Sequence, residues 1–223
     1  MSKTKLELIN NPKSIISESI KTIRINLLFS VPDSQLSTVL VTSTLQGEGK
    51  SSISSNLAVA FGQNDLRVLI LDCDLRHGIM DTIFAIKGHQ GLSNYLAVGK
   101  IEDIEDYILK TDTPNVDVIT SGTVPPNPLE LLSSKKMENL LNHLKTKYDL
   151  LVIDSPPVGV VADSLVLAKH VDRIIIVAAV NQATLKAIKN TKKQIENAGG
   201  NIAGVVVNKK PMTDKQYYNK YYK

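Results

Sequence analysis

A chain of 223 residues, 43% hydrophobic and 22% charged, has a globular composition and length enough for a full core, which excludes a wholly disordered or fibrous protein. One cysteine, Cys73, excludes a disulfide framework and a cysteine-based zinc site, and the four histidines show no metal-ligand spacing. The net charge of +4 resides in the last fifteen residues, so the body is neutral and the tail basic.

The first residues lack the apolar stretch of a signal peptide. The longest wholly apolar run, Ile174 to Val180, is far too short to span a bilayer. A soluble cytoplasmic protein is expected. From about Ser14 to Ser30 the chain predicts a helix, with Ile16, Ile20, Ile23 and Leu27 as one apolar stripe. Glu18, Lys21 and Arg24 form a separate charged ridge at i, i+3, i+6, read either as a solvated face or as a protein contact.

Next come short apolar runs that read as buried parallel strands: 39–43, 68–72, 116–120, 150–154, 174–178 and 204–208. Segments between them carry helical periodicity, Met137, Leu140, Leu141 and Leu144 in one and Leu185, Ile188 and Ile195 in another. Strands alternating with helices predict a doubly wound, mostly parallel α/β sheet.

The first strand runs into Thr44-Leu-Gln-Gly-Glu-Gly-Lys-Ser-Ser52 and then an apolar-faced helix, the context of a P-loop. Thr44 stands where the regular pattern has its first glycine. Gly47, Glu48, Gly49, Lys50, Ser51 and Ser52 are the expected nucleotide-binding residues. Backbone N–H groups would close on phosphate oxygens, Lys50 would reach the β- and γ-phosphates of ATP, and the Ser51 hydroxyl would ligate Mg²⁺. The second strand ends in Asp72-Cys-Asp-Leu-Arg76, whose two acids emerge at the carboxyl end of the sheet, where ligands bind, and suit Mg²⁺. Cys73 reads as a small buried hydrophobe. The fourth strand ends in Asp154-Ser-Pro-Pro157, an apolar run closed by one Asp that would hold or orient Mg²⁺. Asp163 is expected to cap a helix, and Asn208 is a candidate to read the nucleotide base. Four of the seven tyrosines, Tyr217, Tyr218, Tyr221 and Tyr222, fall within six residues of the basic tail. They read as a docking segment, a nucleic-acid contact or an acceptor for phosphate.

Together these pieces resemble the bacterial tyrosine kinases of capsule and exopolysaccharide assembly, in their stand-alone cytoplasmic CapB/CpsD form. The likeness rests on the deviant P-loop through Ser51, on Asp72–Arg76 as an additional Walker A′ motif and on Asp154–Pro157. It rests further on Pro125-Pro-Asn-Pro-Leu-Glu-Leu-Leu132 and on the tyrosine cluster. It implies a P-loop NTPase fold of the MinD/ParA-like branch, with residues 1–210 as a single kinase domain and 211–223 as the tail. It implies Asp72 as proton acceptor, Asp74 and Asp154 tending the metal, and the tail tyrosines phosphorylated in trans within a ring of subunits. Arg76 is left between stabilising transferred charge and an intersubunit contact. A membrane-anchored activator of the polysaccharide co-polymerase type would recruit the protein to the inner face of the membrane. Other proteins' tyrosines would be further substrates.

In that family the N-terminal helix carries Glu-x-x-Arg-x-x-Arg for the ring contact; here Lys21 replaces the first Arg and loses its planar fork. No His-Arg-Asp or Asp-Phe-Gly motif of eukaryotic-type kinases is present. The rival reading, a MinD/ParA-like ATPase switch, lacks its second P-loop lysine, since that position is Leu45. A nucleic-acid-binding module is disfavoured by the neutral body.

Overall fold

The computed structural model describes residues 6–31, 36–86 and 90–211. Its centre is a seven-stranded sheet of β1 (Thr38–Ser43), β2 (Val68–Asp72), β3 (Leu109–Lys110), β4 (Val116–Ile119), β5 (Leu150–Asp154), β6 (Arg173–Ala179) and β7 (Ile202–Asn208). The order is β3-β4-β2-β5-β1-β6-β7, parallel throughout except for the two-residue β3, which closes one edge antiparallel to β4.

The apolar runs form strands because both faces of each are covered. Alternation within a run divides its side chains between two cores. Val39, Val41, Val68, Ile70 and Val152 enter one, while Leu40, Leu69, Leu71, Leu151 and Ile153 enter the other. The first core lies under α1 (Glu7–Asn10), α2 (Ile15–Phe29), α3 (Lys50–Gly62) and α4 (Met80–Phe84). The second lies under α5 (Leu92–Val98), α6 (Pro128–Leu132), α7 (Lys135–Lys147), α8 (Asp163–Ala168) and α9 (Leu185–Asn197), with a 3₁₀ turn over Ile101–Tyr107. Helices on both faces of a parallel sheet are the doubly wound arrangement that the sequence predicts.

Helix starts follow side-chain caps. Ser14 Oγ accepts from Ser17 N, Ser134 Oγ from Met137 N and Thr184 Oγ1 from Ala187 N. α3 is the least surface-like helix, with almost every residue buried. It tolerates this because its serines return their hydroxyls to the preceding turn, as Ser55 Oγ does to Ser51 O at 2.7 Å.

Two apolar stripes end short of expectation. Ile16 is 57% exposed, and α2 rests on Ile20 and Leu27 with Ser17 turned inward. Leu185 is 68% exposed, so α9 is held mainly at Ile195 and Thr191. Both residues sit in the first turn of their helix, beyond the reach of the core below. Glu18 and Lys21 pair at 2.7 Å, while Arg24 Nε is buried without a hydrogen-bond partner among the described residues. The tail tyrosines lie outside the described residues. Among those described, no helix is long and apolar enough to cross a membrane.

Candidate active site

β1, β5 and β2 are neighbours in the middle of the sheet, so their carboxyl ends open on one place. Asp72 pairs in register with Asp154, and Asp154 with Val41. Parallel pairing therefore brings the P-loop, the Asp72–Arg76 segment and the Asp154–Pro157 segment together, as the rule for open α/β sheets requires.

The P-loop turns through Gly47 at φ 78° and Gly49 at φ 94°, a region that glycine enters without strain. A Cβ on Gly49 would fall 2.2 Å from Asn208 Nδ2, so a larger residue there would displace the Asn208 amide. Asn208 Nδ2 donates to Glu48 O at 2.8 Å, and Lys209 Nζ to Gly47 O at 2.6 Å. Asn208, the candidate to read the nucleotide base, thus holds the loop backbone through its Nδ2. Glu48 has no exposed surface, and its carboxylate accepts from Leu45 N at 2.6 Å and from Ala179 N at 3.0 Å. It fastens the loop to β6, a role no motif announces.

Lys50 lies 2.9 Å from Asp74 Oδ2 and 3.6 Å from Asp154 Oδ2. Burial disfavours its charge, but Asp154 and Asp74 outweigh that and hold its pKa above the ordinary lysine value. Ser51 Oγ donates to Asp154 Oδ2 at 2.7 Å, and Ser54 Oγ lies 2.9 Å from Asp154 Oδ1. Ser54 escaped the sequence reading, although its i, i+3 spacing from Ser51 places both hydroxyls on one helix face. Burial, partly offset by Lys50 and the two serines, raises the Asp154 pKa.

Asp72 is fully buried and accepts from Asp74 N at 3.2 Å and Met80 N at 3.1 Å. Burial, then the Asp154 charge, push its carboxyl up to about 8. Cys73 is buried between the acids, and burial lifts its thiol pKa well above normal, as suits an inert side chain. Arg76 makes a two-pronged contact with Asp163, Nε to Oδ2 at 2.7 Å and Nη2 to Oδ1 at 3.2 Å. The expected capping role of Asp163 is therefore corrected: Ala162 occupies the cap position, and the Asp163 carboxylate faces Arg76 instead.

A cavity of about 560 Å³ opens at the P-loop, and Gly47, Gly49, Lys50, Ser51, Ser52, Asp74 and Arg76 are among its lining residues. Its size suits a nucleotide-scale ligand. Glu18, Lys21 and Arg24 lie on α2 and do not line it.

Residues 37–203 match the family described as AAA domain. The tyrosine-protein kinase YwqD of Bacillus subtilis is 35% identical over 210 residues, covering 94% of this chain and 88% of that protein. The crystal structure of the chimerical protein CapA2B2 superimposes with a TM-score of 0.87 at 37% identity, covering 93% of this chain and 90% of that one. The cell-division ATPase MinD of Pyrococcus furiosus is more distant, with a TM-score of 0.68 at 25% identity over 80% of this chain and 74% of that one. The fold is thus shared with the MinD branch of P-loop NTPases.

Proposed function

The chain belongs to the bacterial tyrosine-protein kinases, and on that premise we propose that it transfers the γ-phosphate of ATP to its own tail tyrosines, Tyr217, Tyr218, Tyr221 and Tyr222. The observation that carries this reading is the gathering of Lys50, Asp72, Asp74 and Asp154 at the P-loop, with Lys50 and Asp74 lining a cleft. The described tyrosines support the choice of acceptor. Tyr95 and Tyr107 are 2% and 7% exposed, and Tyr148 donates its hydroxyl to Asp117 at 2.8 Å. None of these three phenols is free to reach the cleft.

In the proposed reaction the phenol oxygen bonds to the γ-phosphorus while the bond from that phosphorus to the ADP oxygen breaks. The phenol proton passes to the carboxylate cluster of Asp72, Asp74 and Asp154, of which Asp74 lines the cleft. A free carboxylate, with a pKa of ~3.9, is a weak base for a phenol of ~10, but in a loose transition state the proton leaves late, so the carboxylate need only orient the hydroxyl and accept at the end. Lys50 and the P-loop N–H groups place the γ-phosphate and offset its charge. Ser51 and Asp154, with Asp74 beside them, present the hydroxyl and carboxylate oxygens that suit Mg²⁺ in nucleotide sites, where the ion neutralises phosphate charge. Asn208 and Glu48 shape the loop rather than touch phosphate. Residues 1–210 form the kinase domain in this reading and 211–223 its substrate tail.

The same reading extends to regulation of capsular or exopolysaccharide synthesis, phosphorylation in trans within a ring, and recruitment to the inner membrane face by a membrane-anchored co-polymerase. Glu18, Lys21 and Arg24 would serve the ring contact. Mass spectrometry of the intact chain and its peptides after incubation with Mg²⁺-ATP tests the core of it, with Lys50→Met as control. Several phosphates on the Tyr217–Tyr222 peptide, absent from the control, are expected. Turnover of ATP to ADP without phosphotyrosine would return the MinD/ParA-like switch instead.

A further inference from the structure

The charge on α9 is one-sided. Lys186, Lys189, Lys192 and Lys193 are all exposed, and Glu196 is the single acid in the helix. Four lysines against one glutamate leave the helix at +3. Lys189 stands three residues from Lys186 and from Lys192 and four from Lys193. Side chains at those spacings are neighbours on a helix, and like charges there oppose it. Glu196 relieves Lys192, which it meets at 3.5 Å. Lys169 adds an exposed cation at the far end, where a Cβ on Gly199 would lie 3.9 Å from its Cβ. Beside these lysines Leu185 is 68% exposed, an aliphatic that the core below leaves uncovered. A charged helix face is ordinarily just solvated. This one differs in lying where the tail leaves the fold.

Val180 N donates to Asn208 O at 3.0 Å, so the end of β7 sits against the loop that leads into α9. Tyr217 follows Asn208 by nine residues, enough chain to reach about 30 Å. α9, with thirteen residues, is only about 20 Å long. Charge decides which form of the tail suits the helix. Residues 209–223 hold five lysines and one aspartate, a net +4 that α9 repels. A phosphate on tyrosine adds about −1.5 to −2, so four of them bring the tail to about −2 to −4.

We propose that the lysine face of α9 is the docking site of the phosphorylated tail. The inference rests on the kinase reading above and names where its product goes. Lys186, Lys189 and Lys193 donate charge-assisted hydrogen bonds to phosphate oxygens, and Leu185 gives a tyrosine ring an apolar surface. No residue of α9 lines the cleft, so a tail held there has left it. The short tether keeps the chain's own phosphotyrosines at roughly millimolar local concentration. An anionic lipid surface would also attract these lysines, but α9 offers it one exposed large aliphatic to insert, Leu185.

The test titrates the phosphatase-treated full chain with a fluorescent synthetic peptide of residues 211–223, phosphorylated on all four tyrosines, and reads anisotropy. Because the peptide is synthetic, binding is measured apart from the chain's own kinase activity. The unphosphorylated peptide should bind at least about tenfold more weakly. The variant Lys186→Gln/Lys189→Gln/Lys193→Gln keeps good helix formers at exposed positions, which circular dichroism checks. Its Kd for the phosphopeptide should rise at least about tenfold, and Lys186→Arg/Lys189→Arg/Lys193→Arg should bind as the unsubstituted chain does. After incubation of the full chain with Mg²⁺-ATP, amide exchange over residues 185–197 should slow, and in the glutamine variant it should not. Equal affinity for the two peptides, or undiminished binding by the glutamine variant, overturns the proposal. So does binding to phosphatidylglycerol vesicles through these lysines with none to the phosphopeptide, which would give the face to a lipid surface. If the chain binds the phosphopeptide through these lysines yet gains no phosphotyrosine of its own, the kinase reading fails and the docking face stands.

Discussion

Removing the Glu48 carboxylate should destabilise the protein through the loss of its two backbone contacts. The side chain is fully buried, and its two oxygens accept from Leu45 N and Ala179 N. Glu48→Ala leaves the buried Ala179 N–H and the part-buried Leu45 N–H without their acceptor, at ~1–3 kcal/mol for a buried group and less for the other, and opens a small cavity besides. A total of about 4 kcal/mol follows, a large share of the ~5–15 kcal/mol that holds a typical domain together. Glu48→Gln keeps one acceptor oxygen but turns an NH₂ group towards a backbone donor, for about 2 kcal/mol. Equilibrium urea unfolding reads both. With a slope of ~3 kcal/mol/M, the upper end of the usual range, the midpoint should fall by about 1.3 M for Ala and about 0.7 M for Gln. Both variants should also bind ADP more weakly, because the loop is no longer fastened to β6. Midpoints within about 0.3 M of the unsubstituted chain would refute the reasoning. The Glu48 contacts would then be incidental to the fold.

Two further outcomes follow from the charges around the cleft. Lys50→Met should lower phosphoryl transfer by at least about a hundredfold, the scale of losing one preorganised donor to a developing charge; transfer retained in a phosphotyrosine assay would remove Lys50 from its assigned role. The second concerns Asp72. Its folded-state pKa is pushed up to about 8, first by burial and then by Asp154. The unfolded chain has lost that proton above ~3.9, so between about pH 4 and pH 8 the folded state binds more protons and stability falls as pH rises. In nucleotide-free protein with chelator present, Asp72→Asn should flatten this decline and raise the urea midpoint at pH 8 more than at pH 5. Equal gains at both pH values would contradict the assignment.

Much of the site is legible in the sequence because parallel strands announce themselves. An apolar run such as Leu150–Ile153 has to be covered on both faces, and whatever ends it lies at the carboxyl edge with the other strand ends. Thus Asp72, Asp154 and the P-loop can be gathered before any coordinates exist. Contacts between separate loops cannot be. The Arg76–Asp163 pair joins residues 87 apart, and Asp163 just after a Pro-Pro turn looks like a cap. Glu48 occupies a position that the P-loop pattern leaves open to any residue. Its role depends on Ala179, which no local signal connects to it. The helical stripes failed at Ile16 and Leu185 for another reason: periodicity says which face is apolar, but not how far along that face the core extends. The short β3, with a Lys at its end, carries too few residues to register as a strand.

The two edges of the sheet are unlike, and this constrains how the chain behaves at high concentration. At one edge β3 is two residues long and presents Lys110, a combination that discourages further pairing. At the other, β7 runs seven residues, with Val205 and Val207 44% and 62% exposed. Edge-to-edge contact through β7 therefore has one self-complementary solution, two copies related by a twofold axis, each turning its blunt β3 edge outward. Such growth ends at two. Among the described residues the sheet has one long open edge and one blunt one, so pairing through the open edge would close on two copies and not extend into a fibre.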